Sequence, residues 1–124
     1  MVLYIDVPWL LDVQEQAVPE DVSVADYSAL VAAVARHKTR IPRPTTAEPD
    51  PAWRAAALLH TLVRLQPLPH RNSLYACQVA VAYMHASGEG IDAPYGALVE
   101  LVRDIRAAKA TVYQAADRIR GWRI

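Results

Sequence analysis

The sequence is poor in several residue types and patterns on which other protein classes depend. Its single cysteine, Cys77, excludes an internal disulfide framework and suits a reducing compartment. Glycine occurs only 4 times, which disfavours Gly-rich β architecture. Uninterrupted apolar runs of about 18 residues are absent, so no membrane span is expected. The formal net charge of +0 excludes a global field that would pull the chain onto nucleic acid or membrane.

The overall composition is typical of a single helical domain. Hydrophobic residues make up 53% of the 124 positions, which predicts a single domain over residues 1–124 with a substantial core. The first residues lack the basic region and long apolar stretch of a signal peptide. Together with the lone thiol, this predicts a cytoplasmic protein that has no membrane partner.

Helix caps and prolines divide the chain into about six helices. Asp50 followed by Pro51 is a strong helix start, and Thr111 with Gln114 has the form of a capping box. Apolar residues then recur at helical spacing. These signals predict helices that follow Asp6, Asp26, Asp50 (to Leu65), Asn72 (to Ala86), Asp92 and Thr111.

Apolar spacing also predicts which surfaces face the core. In the second helix, the expected inward positions are Leu30, Val31, Val34 and Ala35. In the fourth, residues 73–86 contain no Asp, Glu, Lys or Arg. Because a helix without a charged face is surrounded on most sides, it is predicted to be the central helix of the bundle.

Three prolines, Pro42, Pro44 and Pro49, exclude an uninterrupted helix between residues 39 and 50. A loop of about ten residues is long enough in a compact domain to suggest a function. Its Thr39–Ile41 part is predicted to be extended or to form one arm of a small β-hairpin.

The residues of common catalytic and metal sites are scattered. The histidines show no HxxxH spacing, so no metal site is expected. Glycine-rich phosphate loops and nucleophile elbows are absent from the sequence. His60 is predicted to be a hydrogen-bonded helix residue, and Cys77 a buried, inert thiol. Nucleic acid is not an expected partner, because Arg118, Arg120 and Arg123 form no clear recognition face.

The segment Leu65–Leu74 is the most informative stretch, since it is polar, rich in proline and set between two apolar helical segments. Loops held between rigid helices often carry chemistry. The free backbone N–H groups and the dipole of the following helix create a ready anion site. His70 and Arg71 could contact a bound anion, while Asn72 could either orient a phosphate or only cap its own helix.

Ala57–Arg64, the loop after it and Tyr83–Gly88 follow an order that resembles the Fic/Doc family, specifically the short Doc-like toxins of bacterial toxin–antitoxin pairs. In that family, a helix leads into an active-site loop that typically reads H-x-F-x-D/E-[G/A]-N-[G/K]-R. Pro42 falls where the family has a flap that holds a target segment by strand addition. The resemblance implies an all-α, Fic/Doc-like bundle around a central buried helix, with room for a small β-hairpin flap.

Laid over the family motif, the loop departs at almost every position. The histidine, aromatic, acid, small residue, asparagine and final pair fall in turn on Gln66, Leu68, His70, Arg71, Asn72, and Ser73 with Leu74. The family histidine is a general base, whereas the amide of Gln66 cannot take a proton. His70 is a poor ligand for the Mg²⁺ that the acid helps to hold, and Leu74 cannot grip phosphate as arginine does. Only Asn72 is retained.

Three functional hypotheses follow. In the leading one, a degenerate Fic/Doc-fold protein binds an antitoxin segment, another peptide or a nucleotide in the former active-site groove. In the second, a divergent Doc-like toxin or modifying enzyme transfers a phosphoryl or nucleotidyl group to a protein or peptide hydroxyl, or the scaffold serves another reaction. The third is an unrelated helical interaction or DNA-associated domain.

The second hypothesis assigns roles to the loop. His70 is the candidate displaced base and Gln66 a further catalytic candidate, while Asn72, Arg71 and Ser73 would bind phosphate. A nucleoside triphosphate with Mg²⁺ is the candidate cofactor. Whether the protein is an enzyme stays open at this level.

Overall fold

The computed structural model describes residues 2–18, 23–39 and 49–124, which form an all-α bundle. Within these residues the only β pairing is an isolated antiparallel bridge between Ile91 and Arg123. The predicted all-α fold is confirmed, whereas the predicted hairpin flap near Pro42 lies outside the described residues. The six helices are α1 Val7–Ala17, α2 Tyr27–His37, α3 Pro51–Leu65, α4 Asn72–Ala86, α5 Ala97–Arg106 and α6 Val112–Trp122.

Helix α3 occupies the centre of the bundle. It packs against α2, α4, α5 and α6, and every side chain from Ala52 to Leu59 is buried. The prediction that α4 is the central helix is therefore wrong. Although α4 carries no Asp, Glu, Lys or Arg, it packs only loosely against α5 and leaves Leu74 41% exposed. Its uncharged surface borders an open groove rather than another layer of helices.

Side-chain caps start four helices where the sequence predicts them. At α2, the Asp26 carboxylate accepts a hydrogen bond from the backbone N–H of Ser28 at 3.0 Å. The carboxylates of Asp6 and Asp50 each accept a hydrogen bond from the backbone N–H three residues later, both at 2.9 Å. Thr111 and Gln114 form the predicted capping box, in which each side chain accepts a hydrogen bond from the backbone N–H of the other residue. Because these bonds join neighbours in sequence, the residue pattern alone locates the starts of α1, α2, α3 and α6.

The inward face of α2 differs from the prediction. Leu30 is buried as expected, but Val31 is 58% exposed and Ala35 is also exposed. Ala29 and Ala33 are buried in their place. Helix α2 packs on α3 through these small side chains, which allow two helices to approach closely.

Helix α5 begins later than the sequence predicts. Asp92 does not cap it, because the helix starts at Ala97. Gly96 occupies the N-cap in a left-handed conformation with φ 79°, which glycine adopts without steric cost. The buried face of α5 consists of Leu101, Val102 and Ile105.

The segment before α1 is held by hydrogen bonds to residues far away in sequence. The backbone N–H of Ile5 donates to Nε2 of buried His37 at 3.0 Å. The hydroxyl of Tyr83 donates to the carbonyl of Leu3 at 2.6 Å, and burial raises the pKa of Tyr83, which keeps this donor protonated. This anchoring sets the N-terminal residues beside the start of α3 and the end of α4.

Candidate functional site

The loop between α3 and α4 turns twice through left-handed backbone. Gln66 ends α3 with φ 49°, and Arg71 precedes α4 with φ 57°. Such a conformation costs about 1 kcal/mol or more for a non-glycine residue, so other contacts must stabilise it. One anchor is buried Leu68, and another is the carbonyl of Pro67, which accepts a hydrogen bond from Ala25 N–H at 2.8 Å.

The Asn72 side chain supplies a further anchor. Its Nδ2 donates to the carbonyl of Leu62 at 2.9 Å, and its Oδ1 accepts from the N–H of Leu68 at 3.2 Å. The amide therefore bridges the last turn of α3, through Leu62, and the backbone of the loop, through Leu68. The predicted capping role of Asn72 is wrong, because Arg71 is the N-cap residue and Asn72 the first residue of α4.

The other predicted site residues surround this anchor without forming a catalytic cluster. Gln66, His70 and Arg71 are exposed, and Ser73 is half-buried. Within the described part of the chain, the His70 side chain makes no hydrogen bond and no ion pair. A general base must be held within hydrogen-bond reach of its proton. The structure gives His70 no partner that would hold it in one orientation.

Ser73 leads into an apolar groove between α4 and α5. The groove has a volume of about 500 Å³. Val99 is 60% exposed and Leu74 41% exposed on its walls. Exposed apolar surface of this kind marks interaction sites on soluble proteins. The lining residues are Ser73, Leu74 and Cys77 from α4 with Leu98, Val99, Val102, Arg103 and Arg106 from α5.

The charged residues of the groove are both basic. Arg103 and Arg106 are exposed, and within the described residues neither forms an ion pair. Burial raises the pKa of the nearby Cys77 thiol to about 11, which leaves it protonated at neutral pH. A protonated thiol is a weak nucleophile. Cys77 is half-buried rather than fully buried as predicted, and its inertness stays a prediction.

A second polar cluster, which the sequence analysis missed, lies at the start of α3. Arg54 is only 1% exposed, and its Nη1 donates to the carbonyl of His37. The ring of His37 meets the ring of Tyr83 edge-on, with centroids 5.9 Å apart. One signal could have revealed this cluster: Arg54 is the only charged residue from Pro51 to Leu59, a stretch in which every other residue is apolar.

His60 has the structural role predicted for it. Its Nδ1 lies 3.0 Å from Nη1 of Arg36. Burial, with the nearby charges of Arg36 and Arg64, lowers the pKa of His60 to about 4, so the ring is neutral at physiological pH. Across the described ranges, no three His, Cys, Asp or Glu side chains converge as metal ligands would.

Among the described helices, none is both long and apolar enough to cross a bilayer. No protein-family model matches the sequence, and curated proteins offer no significant match either.

Proposed function

We propose that this chain is a binding protein, and that its α4–α5 groove holds an amphipathic, acidic segment of a partner protein. The observation that supports the proposal is the groove itself, in which exposed apolar side chains lie beside two arginines that form no ion pair with any described residue. Amphipathic helices commonly bind in apolar grooves between two helices. Acidic residues on the segment would complement Arg103 and Arg106.

The loop sequence supports binding over catalysis. The resemblance to the Fic/Doc family would place a transfer reaction at this loop, but Gln66 cannot act as a base and exposed His70 has no partner to position it. Both ends of the Asn72 amide are hydrogen-bonded to the backbone and hold the loop. We therefore propose a Fic/Doc-like scaffold that has kept a groove for a protein or peptide partner and lost the conventional transfer chemistry.

Selection of short helical peptides against the purified protein tests this proposal. Enriched peptides should combine an apolar stripe with acidic residues, and Val99→Glu should abolish their binding. Val31→Glu is the matched control, since Val31 on α2 is 58% exposed and lies outside the residues that line the groove. Fluorescence anisotropy of a labelled peptide would give both affinities.

The charge complementarity has its own test. Arg103→Glu should weaken binding of an acidic peptide at least tenfold at low salt and less at high salt, because ionic screening shortens the reach of exposed charges. Peptides that bind Val99→Glu and the wild type equally would contradict the proposal, as would a selection that enriches basic sequences.

A further inference from the structure

A small polar pocket lies where the N-terminal segment meets the start of α3 and the end of α4. Its volume is about 130 Å³, equal to about four water molecules at liquid density. It is therefore large enough for a small ion and far below the size of a nucleotide site. Its lining residues are Val2, Leu3, Pro49, Pro51, Arg54, Tyr83 and Ser87.

The guanidinium of Arg54 is only partly satisfied by the chain. Its Nη1 donates to the carbonyl of His37 and, at 3.5 Å, to that of Thr39. The ring of Tyr4 covers one of its faces, with the centroid 5.0 Å from Cζ. The remaining donors, Nε and Nη2, are buried and have no hydrogen-bond partner among residues 2–18, 23–39 and 49–124.

Nε and Nη2 together form one edge of the guanidinium, with N–H bonds that run parallel. This is the edge that binds the two oxygens of a carboxylate or phosphate. The same chain contains a filled example, since Arg120 donates from Nε to Oδ2 of Asp50 at 2.7 Å and from Nη2 to Oδ1 at 3.0 Å. Arg54 presents the equivalent edge to the pocket without an acceptor.

No described carboxylate balances the charge of Arg54. Asp50, one turn earlier on the chain, is engaged by Arg120 and by its own helix cap. An isolated charge costs several kcal/mol to bury unless it is paired. The hydroxyl of Ser87 in the same pocket is also buried, and among the described residues it makes no hydrogen bond of normal geometry. Its polar influence there is on the nearby Tyr83 hydroxyl, where it opposes the rise in the pKa that burial causes.

We propose that this pocket binds a small oxyanion of the phosphate or carboxylate type. Two of its oxygens would accept hydrogen bonds from Nε and Nη2 of Arg54, and one would accept from the Ser87 hydroxyl. The ion offsets the buried charge and joins the N-terminal segment, α3 and α4 around one ligand. This oxyanion pocket (Arg54, Ser87 and their neighbours) shares no residue with the α4–α5 groove.

Thermal unfolding with inorganic phosphate, against chloride at equal ionic strength, tests the proposal. Saturating phosphate should raise Tm by about 3–5 °C, because an ion that binds only the native state stabilises it. Arg54→Lys should remove this shift, since lysine cannot offer two parallel N–H groups, and Ser87→Ala should weaken binding severalfold. Arg118→Lys, at an exposed arginine outside the pocket, should keep the full shift.

Nitrogen-15 NMR of the wild-type protein keeps the test decisive if Arg54→Lys does not fold. The Nε–H resonance of Arg54 should move saturably with phosphate. An unmoved resonance, or an equal Tm shift in Arg54→Lys, would overturn the proposal. Repeating the titration with acetate distinguishes the two sources, because the tighter ion identifies a phosphoryl or a carboxylate group as the natural ligand.

A carboxylate of the chain itself is the remaining competitor. Glu48 precedes Asp50 as the next acid in sequence and belongs to the range 40–48 outside the described residues. If Glu48 fills the site, Glu48→Gln should respond to phosphate while the wild type does not, and the proposal would be wrong. An equal response of Glu48→Gln and the wild type would support an external ion.

Discussion

The polar groups at the two ends of α3 lie in opposite environments. At the C-terminal end, the loop between α3 and α4 exposes Gln66 and His70 to solvent, and the amide of Asn72 is satisfied by the backbone. At the N-terminal end, Arg54 is buried with two donors that have no acceptor. A polar group that is solvated or already hydrogen-bonded gains little free energy from a bound ligand, whereas a buried donor without an acceptor gains much more. A small ligand is therefore expected to bind in the oxyanion pocket rather than at the loop.

The largest expected effect comes from acidification, which acts on buried histidines. Burial lowers the pKa of His37, and burial with nearby arginines lowers that of His60 to about 4. Both titrate near 6.5 when unfolded. The unfolded state therefore binds more protons as pH falls through this window, and the free energy of unfolding should drop by about 2–4 kcal/mol from pH 7.5 to 4.5.

Urea unfolding across that pH range measures the drop. His60→Asn should flatten the curve by the larger part, and adding His37→Asn should flatten it further. The lowered pKa values of Asp26 and Asp50 act in the same direction only below about pH 4, so the window isolates the histidines. A wild-type stability that is constant from pH 7.5 to 4.5 would refute the buried, neutral state of these rings.

Within the loop, Asn72→Ala should destabilise the protein by about 2 kcal/mol. The substitution removes two hydrogen bonds, each worth about 1 kcal/mol, and takes the acceptor from the Leu68 N–H. The Leu62 carbonyl still accepts a hydrogen bond from the Gln66 N–H at 3.1 Å. His70→Ala is the matched control, because its exposed side chain makes no contact of this kind, and it should change stability by less than about 0.5 kcal/mol. Chemical denaturation gives both values, and equal losses would contradict the anchoring role of Asn72.

The smallest expected effect is the response of Tm to nucleotides, and it distinguishes the loop from the oxyanion pocket. ATP or GTP with Mg²⁺ should leave Tm unchanged relative to Mg²⁺ alone, because the loop lacks a positioned base and its asparagine is engaged. Inorganic phosphate should raise Tm through the oxyanion pocket, which is too small for a nucleotide. A saturable shift with a nucleotide that Arg71→Ala removes would restore the enzymatic hypothesis.

The candidate sites could be read from the sequence only in part. The sequence shows Ser73 and the apolar residues Leu74 and Cys77, but the lack of charge around them predicts a central helix rather than the wall of a groove. The groove exists because α5 packs mainly on α3 and leaves α4 uncovered. The sequence pattern does not identify Arg54 as a site residue, because the role of a single arginine in an apolar helix depends on neighbours that only the fold brings together.

The sequence by itself determined where α1, α2, α3 and α6 begin and that the described residues form about six helices. Those features depend on hydrogen bonds between residues two to four apart, which local residue types encode. Tertiary structure decided which helix lies at the centre, that Asn72 bonds to a carbonyl ten residues earlier, and that Arg54 is buried beside the N-terminal segment. These outcomes depend on which distant groups share a buried volume, and that is a property of the packed chain rather than of any short segment.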